Sequence, residues 1–333
     1  MICSRTVFRC FKALERLGDR ITGAAGPYFV AFAIALIGLG TVCFFDVIMP
    51  SLRYPLLSGP VCVLIAANLW THYYYVVTVA PGFADEPPRQ EQQSILWAKK
   101  RVSGTAAKWT EPLVITRAAV TKCRRCGQQK PERTHHCRIC NRCVLKYDHH
   151  WVNQCVGLHN ERHFVLFMAY LVIACTSVVI TGVPHILRAL GAGDYYEPNW
   201  PHHVPQISFI LIYILSVVMA LAVGVMCAFH LWGAANGETT VEGHDHDIYR
   251  KVAKGRGETF VNSYDLGKRR NLELFFNIGE GGYPLYTLLL PLRINPYTDG
   301  RSWARRRGCE DAGHGGVRRG EELTDEDDDG EEV

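Results

Sequence analysis

Charge is what four long stretches of this sequence lack. Residues 28–48, 57–80, 164–187 and 206–232 hold no lysine or arginine, and Asp46, at the edge of the first, is their only acid. Each reaches the roughly 20 residues that a helix needs to cross a hydrocarbon core about 30 Å thick. Four uncharged runs of that length exclude an ordinary soluble core and predict four membrane spans. No span pairs an acid with a base, which argues against a channel or transporter. No small-residue cleavage site follows the first run, which begins only after Pro27, so a signal peptide is not expected.

Basic residues are scarce on one side of this pattern. The connections between spans one and two and between spans three and four carry one each, Arg53 and Arg188. The other 34 of the 36 lysines and arginines fall before Tyr28, in residues 81–163, or after Trp232. The positive-inside rule assigns those three regions, and both termini, to the cytosol. Nothing beyond that bias suggests a nucleic-acid partner. The predicted division is a cytosolic segment 1–27, spans one and two in 28–80, and a cytosolic loop 81–162. Spans three and four follow in 163–232, then a cytosolic region 233–319 and an acidic tail 320–333 expected to be disordered.

His72 and His230 lie near span ends and are expected at the interface, as are Tyr73, Tyr74 and Tyr75. The basic runs 268–270 and 305–307 are expected either to touch anionic headgroups or to stay solvated. The apolar run 283–292 is too short to span, and either lies on the leaflet or caps the bundle.

The cysteines are unevenly placed. Six of the 13, Cys123, Cys126, Cys137, Cys140, Cys143 and Cys155, fall within 33 residues of the middle loop. Thiols on the cytosolic side stay reduced, so clustering there points to metal rather than disulfides, and CxxC pairs with histidine suit zinc. Cys123-x2-Cys126 is followed after nine residues by His136 and after six more by Cys143. A shift of 14 residues brings Cys137-x2-Cys140 and His150, which Cys155 closes. Two interleaved four-ligand zinc sites are predicted, in a region of about 121–163. The repeat is imperfect: the same shift places a cysteine at 157, where Gly157 stands, so the second unit is two residues short after His150.

The run from Lys122 to Phe164 resembles the cysteine-rich domain of the DHHC protein S-acyltransferases, the palmitoyltransferases. Ala80-Pro81-Gly82, Thr239-Thr240-Val241-Glu242 and the stretch Asn262 to Asn271 resemble further motifs of that family, in the same order. The resemblance implies an all-α transmembrane fold, a four-helix membrane bundle with a cytosolic two-zinc domain between spans two and three. It implies long-chain acyl-CoA, palmitoyl-CoA, as donor and membrane-associated proteins with juxtamembrane cysteines as acceptors. It also implies an endoplasmic reticulum or Golgi membrane. By this resemblance Asp148 orients His149 as a base, His150 binds zinc, and a cysteine thiolate after His150 carries the acyl group.

That cysteine is missing. The family reads Asp-His-His-Cys-Pro-Trp, whereas this chain reads Asp148-His149-His150-Trp151. The two missing residues coincide with the gap in the zinc repeat. Cys155, the nearest thiol, aligns with the last zinc ligand, and using it would leave that zinc three protein ligands. Cys43, Cys62, Cys175 and Cys227 fit small packing roles in the spans. Cys3 and Cys10 are potential acylation sites themselves. Without a thiol, Asp148 and His149 fit either a catalytic pair or a carboxylate that orients its zinc-binding neighbours. The chain as written is expected to have strongly reduced or no S-acyltransferase activity. The alternative role is a membrane-bound zinc adaptor.

Overall fold

The computed structural model describes residues 2–87, 114–151, 153–192, 200–279, 281–309 and 317; in 2–20 the side chains described are those of positions 14 and 18. Cys3, Cys10 and the acidic tail 320–333 therefore lie outside the described side chains.

Helix α1 runs Ile2–Cys43 and continues as a π-helical turn, Phe44–Ile48, and a 3-10 turn, Met49–Ser51. It passes straight through Pro27, so the apolar span, Ile21–Ser51, starts earlier than the proline suggests. Helix α2 spans Pro55–Thr78, with Pro55 in the first turn, where its missing N–H costs nothing. Helix α3 is Glu161–Thr181. It stops short of the expected 187, because Gly182 turns the chain and Pro184 opens a separate short helix, α4, Val183–Ala189. Helix α5, Gln206–Asn236, ends on Gly237 in the left-handed conformation (φ 74°), where a Cβ would meet the Tyr264 carbonyl at 2.6 Å. Among the described residues, four helices are thus long and apolar enough to cross a membrane.

Helix α3 is the buried centre of the bundle, packed between α2 and α5, with Phe164, Val165 and Met168 almost fully enclosed. Helix α1 sits outside and shows Tyr28, Phe29 and Phe32 to the surroundings. Cys43, Cys175 and Cys227 are buried, as packing residues should be.

Among the described residues between α2 and α3 none is helical, which corrects the all-α expectation for this part. This region folds as three two-stranded hairpins, β2–β3 (Val120–Lys122 with Gln129–Pro131), β4–β5 (Thr134–Cys137 with Arg142–Leu145) and β6–β7 (His149–Trp151 with Gln154–Val156). Strand β1, Val114–Arg117, pairs instead with β8, Ser302–Arg305, near the far end of the chain. Strands of three or four residues carry too little apolar pattern to be read from sequence.

Helices α6, Thr240–Gly255, and α7, Lys268–Phe276, follow α5. The run 283–292 forms a 3-10 turn, Leu285–Leu288, whose carbonyls cap the bundle: Asn68 donates to Leu289, Tyr170 to Leu288 and Arg162 to Thr287. The basic run 305–307 is not a headgroup contact at Arg305. That guanidinium is 2 % exposed and donates to Glu132, Thr116 and Ser263.

Candidate functional site

Hairpin geometry assembles two cysteine–histidine clusters from the repeat. In β4–β5, His136 and Cys143 are register partners. The turn that follows β2 brings Cys123 and Cys126 to them, held by Cys123 N–H on the Gln128 carbonyl and Gly127 N–H on the Cys123 carbonyl. In this first cluster Cys126 and Cys143 Sγ are 3.5 Å apart, and His136 Nδ1 is 3.7 Å from Cys143 Sγ. Adjacent residues on a strand point to opposite faces, so Cys137 leaves His136 and joins the second cluster. There Cys140 and Cys155 Sγ are 3.3 Å apart. His150 Nδ1 lies 3.8, 3.6 and 3.5 Å from Cys137, Cys140 and Cys155. The Cys140 N–H donates to Cys137 Sγ at 3.4 Å.

These separations suit a metal. Tetrahedral zinc with bonds of about 2.0–2.3 Å has ligand–ligand edges of roughly 3.3–3.8 Å. Cys123, Cys126, His136 and Cys143 form one group able to hold an ion, and Cys137, Cys140, His150 and Cys155 another.

The two-residue shortening falls within β6, between His150 and Trp151. His150 faces Cys155 and Trp151 faces Gln154 in register, so the hairpin closes tightly while both ligands stay together. Gly157, where the repeat places a cysteine, has no room for one: a Cβ would meet the Leu145 carbonyl and Val144 at 2.8 Å. Cys155 is fully buried within the second cluster.

Beside that hairpin, Asp148 is 6 % exposed. Its Oδ2 accepts from His149 Nδ1 at 2.9 Å, and His230 Nδ1, from α5, lies 3.3 Å away. Its Oδ1 accepts from Thr240 N–H at 2.7 Å and from Thr240 Oγ1 at 2.5 Å. Burial pushes the Asp148 carboxyl up, but the His149 and Thr240 hydrogen bonds and nearby His230 outweigh it and hold it at about 2. Phe164 and Trp151 meet the His149 ring edge-on, with centroids 5.1 and 5.9 Å away. His149 Nε2 is buried and has no hydrogen-bond partner among the described residues.

The short motifs explain themselves here. Thr239 caps α6 in a reciprocal capping box with Glu242. Thr240, next to it, is the Asp148 donor. Glu242 then receives Arg133 Nε and Nη2, each at 2.6 Å, with both side chains under 10 % exposed. Arg133 packs against both Tyr264 and Trp303, with centroids 4.2 and 4.7 Å from its guanidinium carbon. Burial raises the Glu242 carboxyl, and Arg133 overrides it to about 2. Gly82 stands at φ 97° with His159 2.5 Å from where a Cβ would be. Asn271 donates to the Ala235 carbonyl and Asp265, tying the 262–271 stretch to the end of α5.

Two histidine expectations fail. His72 is fully buried, its Nδ1 3.2 Å from Nδ1 of His163 at the start of α3. His230 belongs to the site, 9 % exposed and facing Asp148. Tyr73 is likewise buried, on Phe167. Sequence position near a span end carried no signal of these partners, because α3 supplies those of His72 and Tyr73 and the cysteine-rich region supplies that of His230.

The fold holds two cavities of note, one at the site and one among the spans. One of about 390 Å³ is lined by Asp148, His230, Thr240, Phe164, Lys146 and Arg250. The other, about 210 Å³, lies among the spans and is almost wholly apolar, lined by residues such as Ile37, Ile65, Leu69, Phe167 and Val178.

Comparison with known proteins agrees with this arrangement. The DHHC palmitoyltransferase family matches residues 118–247. Palmitoyltransferase ZDHHC16B of Danio rerio is 29% identical over 90% of this chain and 83% of its own length. Palmitoyltransferase ZDHHC16 of Mus musculus is 29% identical over 88% of this chain and 78% of its own. Probable protein S-acyltransferase 14 of Arabidopsis thaliana is 35% identical over 47% of this chain and 48% of its own. With four helices among the described residues fit to cross a membrane and the cysteine-rich domain between the second and third, the chain is an integral membrane protein that carries a DHHC palmitoyltransferase domain over residues 118–247 and is similar along most of its length to DHHC-type protein S-acyltransferases, with the Cys-Pro of that family's motif absent.

Proposed function

We propose that this protein S-acyltransferase binds palmitoyl-CoA and membrane-associated client proteins with juxtamembrane cysteines, but forms little or no acyl-enzyme. The observation that carries this reading is the isolation of the Asp148–His149 pair. Asp148 is held by Thr240 and holds His149, yet no thiol follows His150, and His149 Nε2 is enclosed without a partner. In the family's chemistry Asp148 orients His149 as a base for that thiol; here the base has nothing to deprotonate. Two zinc ions, one on Cys123, Cys126, His136 and Cys143 and one on Cys137, Cys140, His150 and Cys155, would serve as structural staples. The span cavity suits an acyl chain by its apolar lining.

In this reading the domain division is the one expected from sequence, which puts both termini and residues 81–162 on the cytosolic face of the endoplasmic reticulum or Golgi. The enclosed His149 nitrogen and buried Cys155 also favour the second reading, a membrane-bound zinc adaptor that engages donor or clients without transfer. The test is incubation of purified protein with labelled palmitoyl-CoA. The expected result is donor binding without hydroxylamine-sensitive label on the protein; robust label on Cys155 overturns the proposal.

A further inference from the structure

Three ligand-type atoms converge outside the two cysteine clusters. Asp148 Oδ2, His149 Nδ1 and His230 Nδ1 come from the link before β6, from β6 itself and from α5. Oδ2 lies 2.9 Å from the first nitrogen and 3.3 Å from the second. Three ligand atoms of this group all fall within 4.8 Å of one another. Nitrogen and oxygen ligands at about 2.0–2.1 Å around a tetrahedral ion stand roughly 3.3 Å apart, so both measured edges fit within a few tenths of an ångström.

The carboxylate is also arranged as a monodentate ligand is. Thr240 engages Oδ1 through both N–H and hydroxyl, and leaves Oδ2 for the two imidazoles. Asp148 and His230 line the polar cavity of about 390 Å³, and His149 is not part of its lining. An ion here would have three protein ligands and one position facing that cavity. That differs in kind from the cysteine clusters, whose four protein ligands close the coordination shell. Zinc sites with three protein ligands keep a water in the open position.

We propose that Asp148, His149 and His230 form a third divalent-cation site, suited to zinc, with its open position on the polar cavity. The ion would bridge the cysteine-rich domain to α5, and would occupy an aspartate–histidine pair that has no thiol to serve.

The test is zinc analysis of the purified full-length chain, loaded with zinc alone, beside His230→Asn and Asp148→Asn. Each variant is expected to hold one zinc fewer per chain, with the cluster cysteines still shielded from alkylation. Equal zinc in all three proteins overturns the site. Cobalt substitution of the unaltered chain decides the matter independently of how the variants fold. A sulfur-free cobalt component beside the thiolate charge-transfer bands supports the site, and a purely thiolate-ligated spectrum overturns it. Neither readout depends on acyl transfer, so failure here leaves the functional proposal standing.

Discussion

Single residues in this chain carry more than their chemistry alone suggests. Arg133 and Glu242 form a nearly enclosed ion pair that joins β4's approach to the start of α6. Removing one partner leaves the other charge buried, so Arg133→Ala should cost about 3–5 kcal/mol of stability, read as earlier unfolding in detergent. The same pair sets a pH dependence. The Glu242 carboxyl is lowered to about 2, so its stabilisation is fully present above the ordinary carboxylate value of 4.5. It is lost as pH falls from there through about 2, and thermal midpoints across that window should drop in the wild type more than in Glu242→Gln. Gly157 offers a second residue-scale test. Restoring the repeat with Gly157→Cys should lower the yield of folded protein instead of improving zinc retention, because the Cβ collides with the Leu145 carbonyl.

Among the elements, legibility divided along physical lines. The spans were readable because bilayer insertion demands uncharged length, which is a local property of the chain. Their ends were less so: helix α1 ignores Pro27, and α3 yields at Gly182–Pro184. The hairpins were unreadable as strands, since strands of three or four residues carry too little alternation, yet the cysteine–histidine spacing pointed to the eight residues that gather in two clusters able to hold an ion. His72 and His230 were misread because their partners, His163 and Asp148, come from elements remote in sequence. If metal organises the hairpins, a strong chelator should expose the cluster thiols to alkylation while far-ultraviolet helix signal from the spans persists. Helix α6 depends on its cap, and Thr239→Ala should cost about 1 kcal/mol by loss of the capping box, visible as faster amide exchange over residues 240–244.

On the scale of the whole molecule, the bundle, the cysteine-rich domain and the C-terminal region close around one carboxylate. Thr240 after α5, His230 within α5 and His149 in β6 all meet Asp148, so every large part of the fold contributes to the site. That construction survives the loss of two residues because the shortened β6 still pairs with β7 and keeps His150 opposite Cys155. The most direct measurement is autoacylation with labelled palmitoyl-CoA, run on this chain and on one with Cys-Pro inserted between His150 and Trp151. The account predicts no hydroxylamine-sensitive label above background in the first and label on the inserted cysteine in the second. Robust label on the unaltered chain, at Cys155 above all, would contradict it.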